Sequence, residues 1–491
     1  MVDFGLFQRR VAGSPLVYSI PAHRSFSDAL AIGLIQAVGR DPMVLAKGRI
    51  LLPNNRAIRT VTEAFVRASD GGLVLPRLIA IGDPDLGERI GGALDPLDLA
   101  DEVPPAIDPL ERQLLLARLI RTEGESAAEA MRLAVELART MDQLAVEEIP
   151  ASRLADAVQD APELAAHWLQ SIERFRAVLD RWPAILAERG VIDLADRRGR
   201  LLHGLAKRWR ERPPEGFTLA AGINTSAPAV ADLLARVARM ERGAVVLPAL
   251  ADSRVMPEVE WDALGPDEEG RGEEVHPQYH LKRLLHRIGA AREEVLPWRS
   301  GGRASSTSAR GRAVIHAMVA PRFSSKWNSL PAAERRLTGI RVAELPDPAS
   351  EAQAIAIALR EAIETPGKTA ALVTPDRALA ARVSAHLQRW GIQADDSAGQ
   401  PLSQTPVGML LLAVAAAAEN LAPVPLLTLL KHPLVGGEGD ARLIWLEAVR
   451  EIDLGLRGPR PRSMSGPSCA IPRRASTSSI AAVVSSPPHA D

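Results

Sequence analysis

Short apolar runs alternate with amphipathic helical stretches through the first part of the chain. Runs typical of buried strands occupy residues 15–20, 49–53, 73–81, 217–221 and 244–247. Helical periodicity follows most of them, as it does when crossover helices join parallel strands. From residue 109 to about 212 the pattern is helical alone. The sequence therefore predicts an α/β domain that is interrupted by an all-helical insertion.

A second alternation starts near residue 340 and continues to about 435. Residues 370–373 predict a short buried strand, and Asp376 can cap the helix whose apolar face carries Leu379, Val383 and Leu387. Residues 409–418 are apolar but too few to span a membrane, so we expect a core helix. The predicted domains are 13–108 and 216–298 (one α/β domain), 109–215 (insertion), 299–338 (exposed linker), 339–458 (second α/β domain) and 459–491 (tail).

Composition narrows the class of protein. The chain has 491 residues, a formal net charge of -1 and 3% aromatic residues, so it is neither uniformly basic nor rich in rings that could stack on bases. Cys469 is the only cysteine, which excludes a disulfide framework, a zinc ribbon and a cysteine-ligated iron–sulfur cluster within this chain. With no signal pattern and no membrane-spanning run, we expect a cytoplasmic protein.

Three strings in the second alternation carry a family resemblance: TPDRALAARV from Thr374, WGIQADDSAGQPL from Trp390 and TPVG from Thr405. In this order they resemble the second RecA-like domain of alphaproteobacterial AddB proteins. AddB is the non-motor partner in the AddAB helicase–nuclease, which processes double-strand DNA breaks. The resemblance implies two inactivated RecA-like domains of the superfamily 1 helicase type. It also implies a DNA-guiding scaffold that acts on duplex ends and single strands, with no membrane.

An ATP-driven motor needs a glycine-rich loop with Lys and Ser/Thr after its first strand, because backbone N–H groups and the Lys hold the phosphates. The chain instead has Pro21, His23, Arg24 and Ser25 there, with neither glycine nor Lys. We interpret this loop as vestigial and expect Arg24 to be solvated, although an Arg near a helix start can contact an anion.

The acidic pair that a motor needs after a later strand is also missing. Gly222, Asn224, Thr225 and Ser226 follow residues 217–221 where carboxylates should hold magnesium. The glycine-rich loop and the acidic pair are both missing from the positions where a motor domain carries them. This favours an inactive helicase-like domain, as the resemblance implies. ATP and magnesium are then expected in an AddA-like partner subunit, with no cofactor in this chain. An active ATP-dependent helicase is the alternative.

Asn54, Asn55, Arg56 and Arg59 place donors at the start of the helix that follows the second strand. A helix N-terminus is a natural phosphate site, and the equivalent element of superfamily 1 helicases contacts single-stranded DNA. These residues are therefore the candidate DNA contact, with an ordinary polar helix face as the alternative. The resemblance further places Thr374, Asp376 and Arg377 in a helicase motif of the second domain, where Arg377 is expected to be structural.

Two motifs suggest metal chemistry but lack the full donor set. His276 and His280 have the i, i+4 spacing of zinc ligands without a third ligand, so we expect a helix start with Pro277 first and Gln278 capping. Asp395 and Asp396 lack the nearby Lys of a magnesium nuclease and are expected to brace a turn. We therefore assign no catalytic residue and no metal site.

The basic face of the helix after HPQYH has two open interpretations. Lys282, Arg283, His286 and Arg287 share that face and either follow a DNA backbone or are solvated.

The segment 459–491 is rich in Arg, Pro and Ser, which predicts disorder. Proteins of the AddB type continue into a nuclease domain at this point, so we expect a frameshift near residues 459–462 and a truncated product. A genuine basic tail that binds DNA weakly is the alternative. A non-functional fragment that does not assemble is a further alternative for the whole chain.

Overall fold

The computed structural model describes residues 5–8, 11, 13–38, 42–69, 72–82, 103–121, 126–150, 153, 165–266, 272–300, 303–304, 309–335 and 339–457. The predicted tail, 459–491, lies outside these residues. The chain divides into two compact units, Met1–Val342 and Ala343–Asp491, each of which is described by itself. The first is an α/β unit built on a six-stranded parallel sheet.

The elements of the first unit follow the predicted alternation. In chain order they are β1 Val17–Ile20, α1 Phe26–Val38, α2 Pro42–Ala46, β2 Arg49–Leu52, α3 Asn55–Ala68, β3 Arg77–Ala80, α4 Pro109–Ile120, α5 Ala127–Val146, α6 Ala165–Arg189, α7 Leu194–Glu211, β4 Thr218–Ala221, α8 Pro228–Arg239, β5 Gly243–Pro248, α9 Glu258–Asp262, α10 Tyr279–Ile288, β6 Leu296–Pro297, β7 Arg299–Ser300, β8 Arg303–Ala304, α11 Ala309–Ala317, α12 Lys326–Ser329 and α13 Ala332–Arg335.

The sheet has the strand order β3-β2-β4-β5-β1-β6, and each neighbouring pair is parallel. Successive side chains of a strand point to opposite faces, so both faces must be covered. Ala244 and Val246 of β5 pack with α1 and α3, whereas Val245 and Leu247 pack with α7, α8 and α10. These two apolar layers hold the sheet between helices and confirm the α/β prediction.

Between β3 and β4 the described residues form the helices α4 to α7, where the sequence predicts a helical segment. Arg112 of α4 is buried and makes salt bridges to Asp193 (Nε–Oδ1, 2.8 Å) and Asp142 (Nη2–Oδ1, 2.9 Å). The Trp182 indole N–H donates to Asp193 Oδ2 at 2.8 Å. Burial raises the pKa of Asp193, and the opposing effects of Arg112 and Trp182 do not cancel it. This network joins α4, α5 and α6 to the turn that begins α7.

The segment predicted as a linker, 299–338, belongs largely to the first unit. β7 and β8 form an antiparallel pair, and α11 to α13 follow. Ser300, Ala313 and Ala320 are buried. Lys326 donates to the buried Glu260 carboxylate at 2.7 Å, which attaches α12 to α9. A polar, glycine-rich sequence can therefore fold when neighbouring helices bury its few apolar side chains.

The second unit is helical in the part that the structure describes. Its helices are α14 Pro348–Ile363, α15 Arg377–Gln388, α16 Pro406–Asn420, α17 Pro423–Leu430 and α18 Gly439–Leu456. The strand predicted at residues 370–373 is wrong, because this segment forms no sheet and Val373 is 93% exposed. A strand needs a hydrogen-bonded neighbour, and the described residues of this unit supply none.

The prediction of a core helix at residues 409–418 is right for the helix and wrong for the core. In α16 Leu411 and Leu412 are 60% and 56% exposed, and only small side chains such as Ala413 and Ala417 are buried. Leu443 and Ile444 of α18 are exposed too. Without a sheet to cover, these helices present their apolar faces to solvent. No helix among the described residues combines the length and apolarity needed to cross a membrane.

His203 links three helices: α7, which carries it, α8, and the end of α5. His203 of α7 contacts Asp232 of α8 (Nδ1–Oδ2, 3.0 Å) and Glu148 just after α5 (Nε2–Oε1, 2.7 Å). Burial lowers the pKa of His203, but the hydrogen bonds and charges of both carboxylates outweigh burial and raise it. The imidazolium form therefore bridges the Asp232 carboxylate on α8 and the Glu148 carboxylate just after α5.

We expect this bridge to stabilise the protein at mildly acidic pH and to weaken as pH rises. The folded-state pKa of His203 lies above its ordinary value of 6.5, so its contribution is fully present below pH 6.5 and is lost as pH rises through the folded-state pKa. Because the site is partly exposed, the contribution is on the order of 1 kcal/mol or less. Urea unfolding of wild type and His203→Gln between about pH 6 and 9 measures it.

The difference in unfolding free energy between the two proteins should shrink towards high pH. A difference that stays constant across this range would show that His203 acts through packing or neutral hydrogen bonds instead.

Candidate nucleic-acid interface

The carboxyl ends of the parallel strands bring the loops after β1, β2, β4 and β5 to one edge of the sheet. This carboxyl edge holds the predicted loop 21–25 and the predicted contact at the start of α3. β1 is followed by a helix on one face of the sheet, and its neighbour β5 by a helix on the other. Open α/β sheets bind ligands where the connections diverge in this way.

The start of α3 presents polar side chains to solvent. Asn54, Asn55, Arg56 and Arg59 are all exposed. Asn54 is the N-cap, since its Oδ1 accepts a hydrogen bond from the Ala57 N–H at 2.9 Å. Its side-chain amide also carries an NH₂ group, which is a hydrogen-bond donor. The arrangement offers donors and two guanidinium groups at the positive end of a helix dipole.

Residues that follow β3 hold the turn between β2 and α3 in place. The Ile81 N–H donates to the Leu52 carbonyl at 2.8 Å, which extends the β2–β3 pairing beyond both strands. A Cβ at Gly82 would lie 2.0 Å from the Pro53 carbonyl oxygen, so only glycine permits this approach. The turn that carries Asn54 is therefore held against residues 81–82, which follow β3.

Arg24 of the loop after β1 is anchored rather than solvated, which corrects the sequence-based prediction. Its Nη1 donates to Ser300 Oγ at 2.8 Å, and Ser300 is 5% exposed. The loop itself is a turn, in which the Arg24 N–H donates to the Pro21 carbonyl at 3.0 Å. His23 and Ser25 are exposed on either side. Sequence could not pair Arg24 with Ser300, because 276 positions separate them.

Asp28 occupies the first turn of α1, where a motor would bind phosphate. Hydrogen bonds from Ser25 and from Arg67 of α3 lower the pKa of Asp28. The Arg67 Nη2–Asp28 Oδ1 distance is 2.6 Å. Sequence analysis missed this residue, although Ser25 and Asp28 have the spacing of a helix-capping box. A carboxylate at this position repels a nucleotide phosphate.

An aromatic side chain fills the space between the loops after β1 and β4. Gly222 has φ +72°, and a Cβ added there would lie 3.2 Å from Cε1 of the Phe26 ring. Beyond it Asn224 and Thr225 are exposed, whereas Ser226 is 1% exposed. A motor would place magnesium and its carboxylate ligands between these two loops. Here the space holds a phenyl ring.

The loop after β5 is fixed by Gln278, which also corrects a prediction. Its side chain accepts from the Ala251 N–H at 2.9 Å and donates to the Ala249 carbonyl at 3.0 Å. Gln278 occupies the N-cap position of α10 as predicted, but its side chain makes no capping hydrogen bond, and Pro277 precedes the cap rather than opening the helix. Instead, Nδ1 of the buried His276 accepts the Gln278 N–H at 3.1 Å. His276 precedes the helix, so it does not share a helix face with His280 as zinc ligands would.

Two cations of the α10 face donate hydrogen bonds to backbone carbonyls of neighbouring segments. They are therefore neither solvated nor directed along a DNA backbone, the two predicted alternatives. Lys282 Nζ donates to the Trp261 carbonyl at 2.8 Å, and Arg287 donates to the Ser226 carbonyl. Both contacts attach α10 to neighbouring segments. This face is therefore not available as a continuous track for a DNA backbone.

The predicted motif of the second unit forms a local brace. Asp376 caps α15 by accepting from the Ala378 N–H at 2.7 Å, and Thr374 Oγ1 accepts the Asp376 N–H at 3.0 Å. Arg377 makes a two-point salt bridge to Asp396, at 2.9 and 2.7 Å. Asp396 in turn accepts the Ala398 N–H at 2.9 Å, so it braces its turn as expected. The motif orders the chain between α15 and α16.

No family model matches the chain, and no curated protein matches it. The residues and their geometry therefore carry the functional assignment.

Removal of the Asn54 cap should destabilise the protein. We expect Asn54→Ala to lower the unfolding free energy by about 1 kcal/mol, because the Ala57 N–H loses its acceptor. Asn54→Asp is the matched control, since Asp is an equally good N-cap and its charge suits the helix dipole. Chemical denaturation measures both, and equal stability of Asn54→Ala and wild type would contradict the assigned cap.

Proposed function

We propose that this chain is a DNA-guiding, non-motor scaffold subunit of an AddAB-type helicase–nuclease that acts in double-strand break repair. Its α/β unit is then an inactivated RecA-like domain, and an AddA-like partner hydrolyses ATP. The proposal rests on the side chains found at the carboxyl edge of the sheet. There Arg56 and Arg59 are exposed at a helix start, a carboxylate (Asp28) lies in the first turn of α1, and the Phe26 ring lies against Gly222.

The chemistry of the exposed groups suits a single strand. Arg56 and Arg59 are three residues apart and share a helix face. Guanidinium groups bind phosphate through two parallel hydrogen bonds, and a helix N-terminus adds positive potential. Contacts to phosphate carry no sequence information, so binding through these groups is expected to be independent of base sequence.

The second unit supports the scaffold part of the proposal. Exposed apolar side chains such as Leu411, Leu412, Leu443 and Ile444 lie on its helices. Apolar surface of this kind marks contacts with other protein, because water is a poor environment for it. A subunit that works only in a complex has such surfaces when it is considered alone.

The decisive experiment removes the two guanidinium groups. In Arg56→Ala/Arg59→Ala we expect the Kd for a fluorescein-labelled oligothymidylate to rise roughly tenfold to thirtyfold at about 0.1 M salt, since two phosphate contacts are lost. The slope of log Kd against log salt should fall by about 1.4. Fluorescence anisotropy of the full chain measures both.

The matched control is Arg132→Ala/Arg139→Ala, which removes the same charge from exposed positions on α5 that pair with Glu129 and Glu136. It should bind like wild type. Asn54→Asp keeps the cap but places a negative charge at the contact, so it should weaken binding without loss of stability. Equal affinity of wild type and Arg56→Ala/Arg59→Ala would refute the proposed contact.

The alternative of an active helicase predicts nucleotide binding. A ligand present at 100 times its Kd stabilises a folded protein by about 2.7 kcal/mol. Because Asp28 places a carboxylate in the first turn of α1, where it would repel a phosphate, we expect millimolar Mg-ATP to leave the thermal midpoint of the protein unchanged. A clear upward shift, abolished in Arg24→Ala, would favour the helicase instead.

A further inference from the structure

The last helix of the second unit, α18, packs one of its faces against the segment that contains α17. Val449 on that face is 1% exposed, and the Trp445 indole N–H donates to the Leu430 carbonyl at the end of α17 at 2.8 Å. Lys431, which follows α17, makes a salt bridge to Asp453 (Nζ–Oδ2, 2.6 Å). These contacts fix the orientation of α18 and direct its opposite face to solvent.

The solvent-directed face of α18 carries two leucines with a pair of opposite charges between them. Leu443 and Leu454 are 64% and 63% exposed, and Glu447 and Arg450 between them are also exposed. Because these positions follow one another at intervals of four, three and four residues, they form one stripe along the helix. The helices of a coiled coil contact each other along a stripe with this spacing. We call these four residues the outer stripe.

The outer stripe is complementary to an antiparallel copy of itself. A second copy of α18 that crosses at the middle of the stripe brings Leu443 of one chain opposite Leu454 of the other. The same register brings Glu447 opposite Arg450, and a two-fold axis produces both contacts twice. A parallel copy in register would place Glu447 against Glu447 instead. Charged residues in a contact seam weaken a helix pair but specify its register, so this stripe favours the antiparallel arrangement.

The other charged residues of α18 are compatible with this register. Asp440 in the first turn and Arg457 at the C-cap are equally far from the middle of the stripe and form a further match of opposite charge. Arg457 also bonds to Asp453 of its own helix, so this outer match is the weaker one. Arg442 and Asp453 are bound to the segment after α17, and Glu451 is exposed at the margin of the stripe.

The central charges of the stripe pair only loosely within one chain. The Arg450 Nη1–Glu447 Oε1 distance is 3.7 Å, and the two side chains are 75% and 74% exposed. Exposed pairs of this kind contribute little stability, so they are readily exchanged. Between two copies the same groups would lie beside leucine contacts that exclude water, where screening by salt is weaker.

We propose that the outer stripe of α18 binds the outer stripe of a second copy of this chain in antiparallel orientation. The inference goes beyond the proposed function, because it requires neither nucleic acid nor an AddA-like partner. One pair of helices of 18 residues is a small interface. Interfaces below about 1,200 Å² in total are typical of weak, reversible complexes. We therefore expect a dimer with a Kd on the order of 10–100 µM.

Sedimentation equilibrium of the full chain between about 2 and 300 µM measures this association. Leu443→Ala/Leu454→Ala removes both leucine contacts and should raise the dimer Kd at least about tenfold. Leu411→Ala/Leu412→Ala is the matched control, since it removes the same side chains from positions of α16 that are 60% and 56% exposed. This control should dimerise like wild type. Chemical denaturation of both variants shows that each is folded.

Charge exchange tests the antiparallel register. Glu447→Arg and Arg450→Glu each place like charges opposite one another in the dimer, so each protein alone should associate more weakly than wild type. In an equimolar mixture of the two, every central contact joins opposite charges. The mixture should therefore associate at least about tenfold more tightly than either protein alone. Glu136→Arg and Arg139→Glu alter an exposed pair of the same spacing on α5 and should change nothing, alone or mixed.

A wild-type protein that is monomeric over this concentration range would overturn the proposal. A dimer that persists in Leu443→Ala/Leu454→Ala, or that is lost in Leu411→Ala/Leu412→Ala instead, would place the contact elsewhere and overturn it too. A mixture of Glu447→Arg and Arg450→Glu that associates no better than its components would refute the antiparallel pairing. Oligothymidylate binding by Arg56→Ala/Arg59→Ala is a separate readout, so the proposed function stands or falls independently.

Discussion

Parallel pairing of six strands is the constraint on which the rest of the first unit depends. A parallel strand can return to the sheet only through a crossover, so α1 and α3 cover one face and α8 and α10 the other. The same pairing collects every strand end at one edge and every strand start at the other. The meeting of the loops after β1, β2, β4 and β5 at one edge is a consequence of this arrangement.

Side-chain packing and hydrogen bonds order the carboxyl edge of the sheet. Phe26 lies against Gly222, and Asp28 in the first turn of α1 is held by Ser25 and Arg67. These side chains stabilise the loops by packing and hydrogen bonding, so the edge needs no nucleotide to be ordered. The exposed guanidinium groups of Arg56 and Arg59 lie on the same edge, at the start of α3.

The second unit illustrates the dependence of a strand on its partner. Residues 370–373 have the composition of a buried strand, yet Val373 is 93% exposed because the described part of the unit offers no neighbouring strand. The helix of residues 406–420 forms from local propensity and its Thr405 cap, and it leaves Leu411 and Leu412 exposed. Local signals are therefore sufficient for helices, whereas burial requires a surface that another segment must provide.

Sequence alone determined the alternation of strands and helices, the helical segment before β4, the Asp376 cap and the Asn54–Arg59 helix start. Each depends on side-chain periodicity or on bonds that span a few residues, and such signals are local. Only the tertiary structure decided that Arg24 bonds to Ser300 and that Gln278 holds the loop after β5. These contacts join positions far apart in the chain, and the strand order that brings them together is set by the packing of two apolar layers rather than by any local pattern.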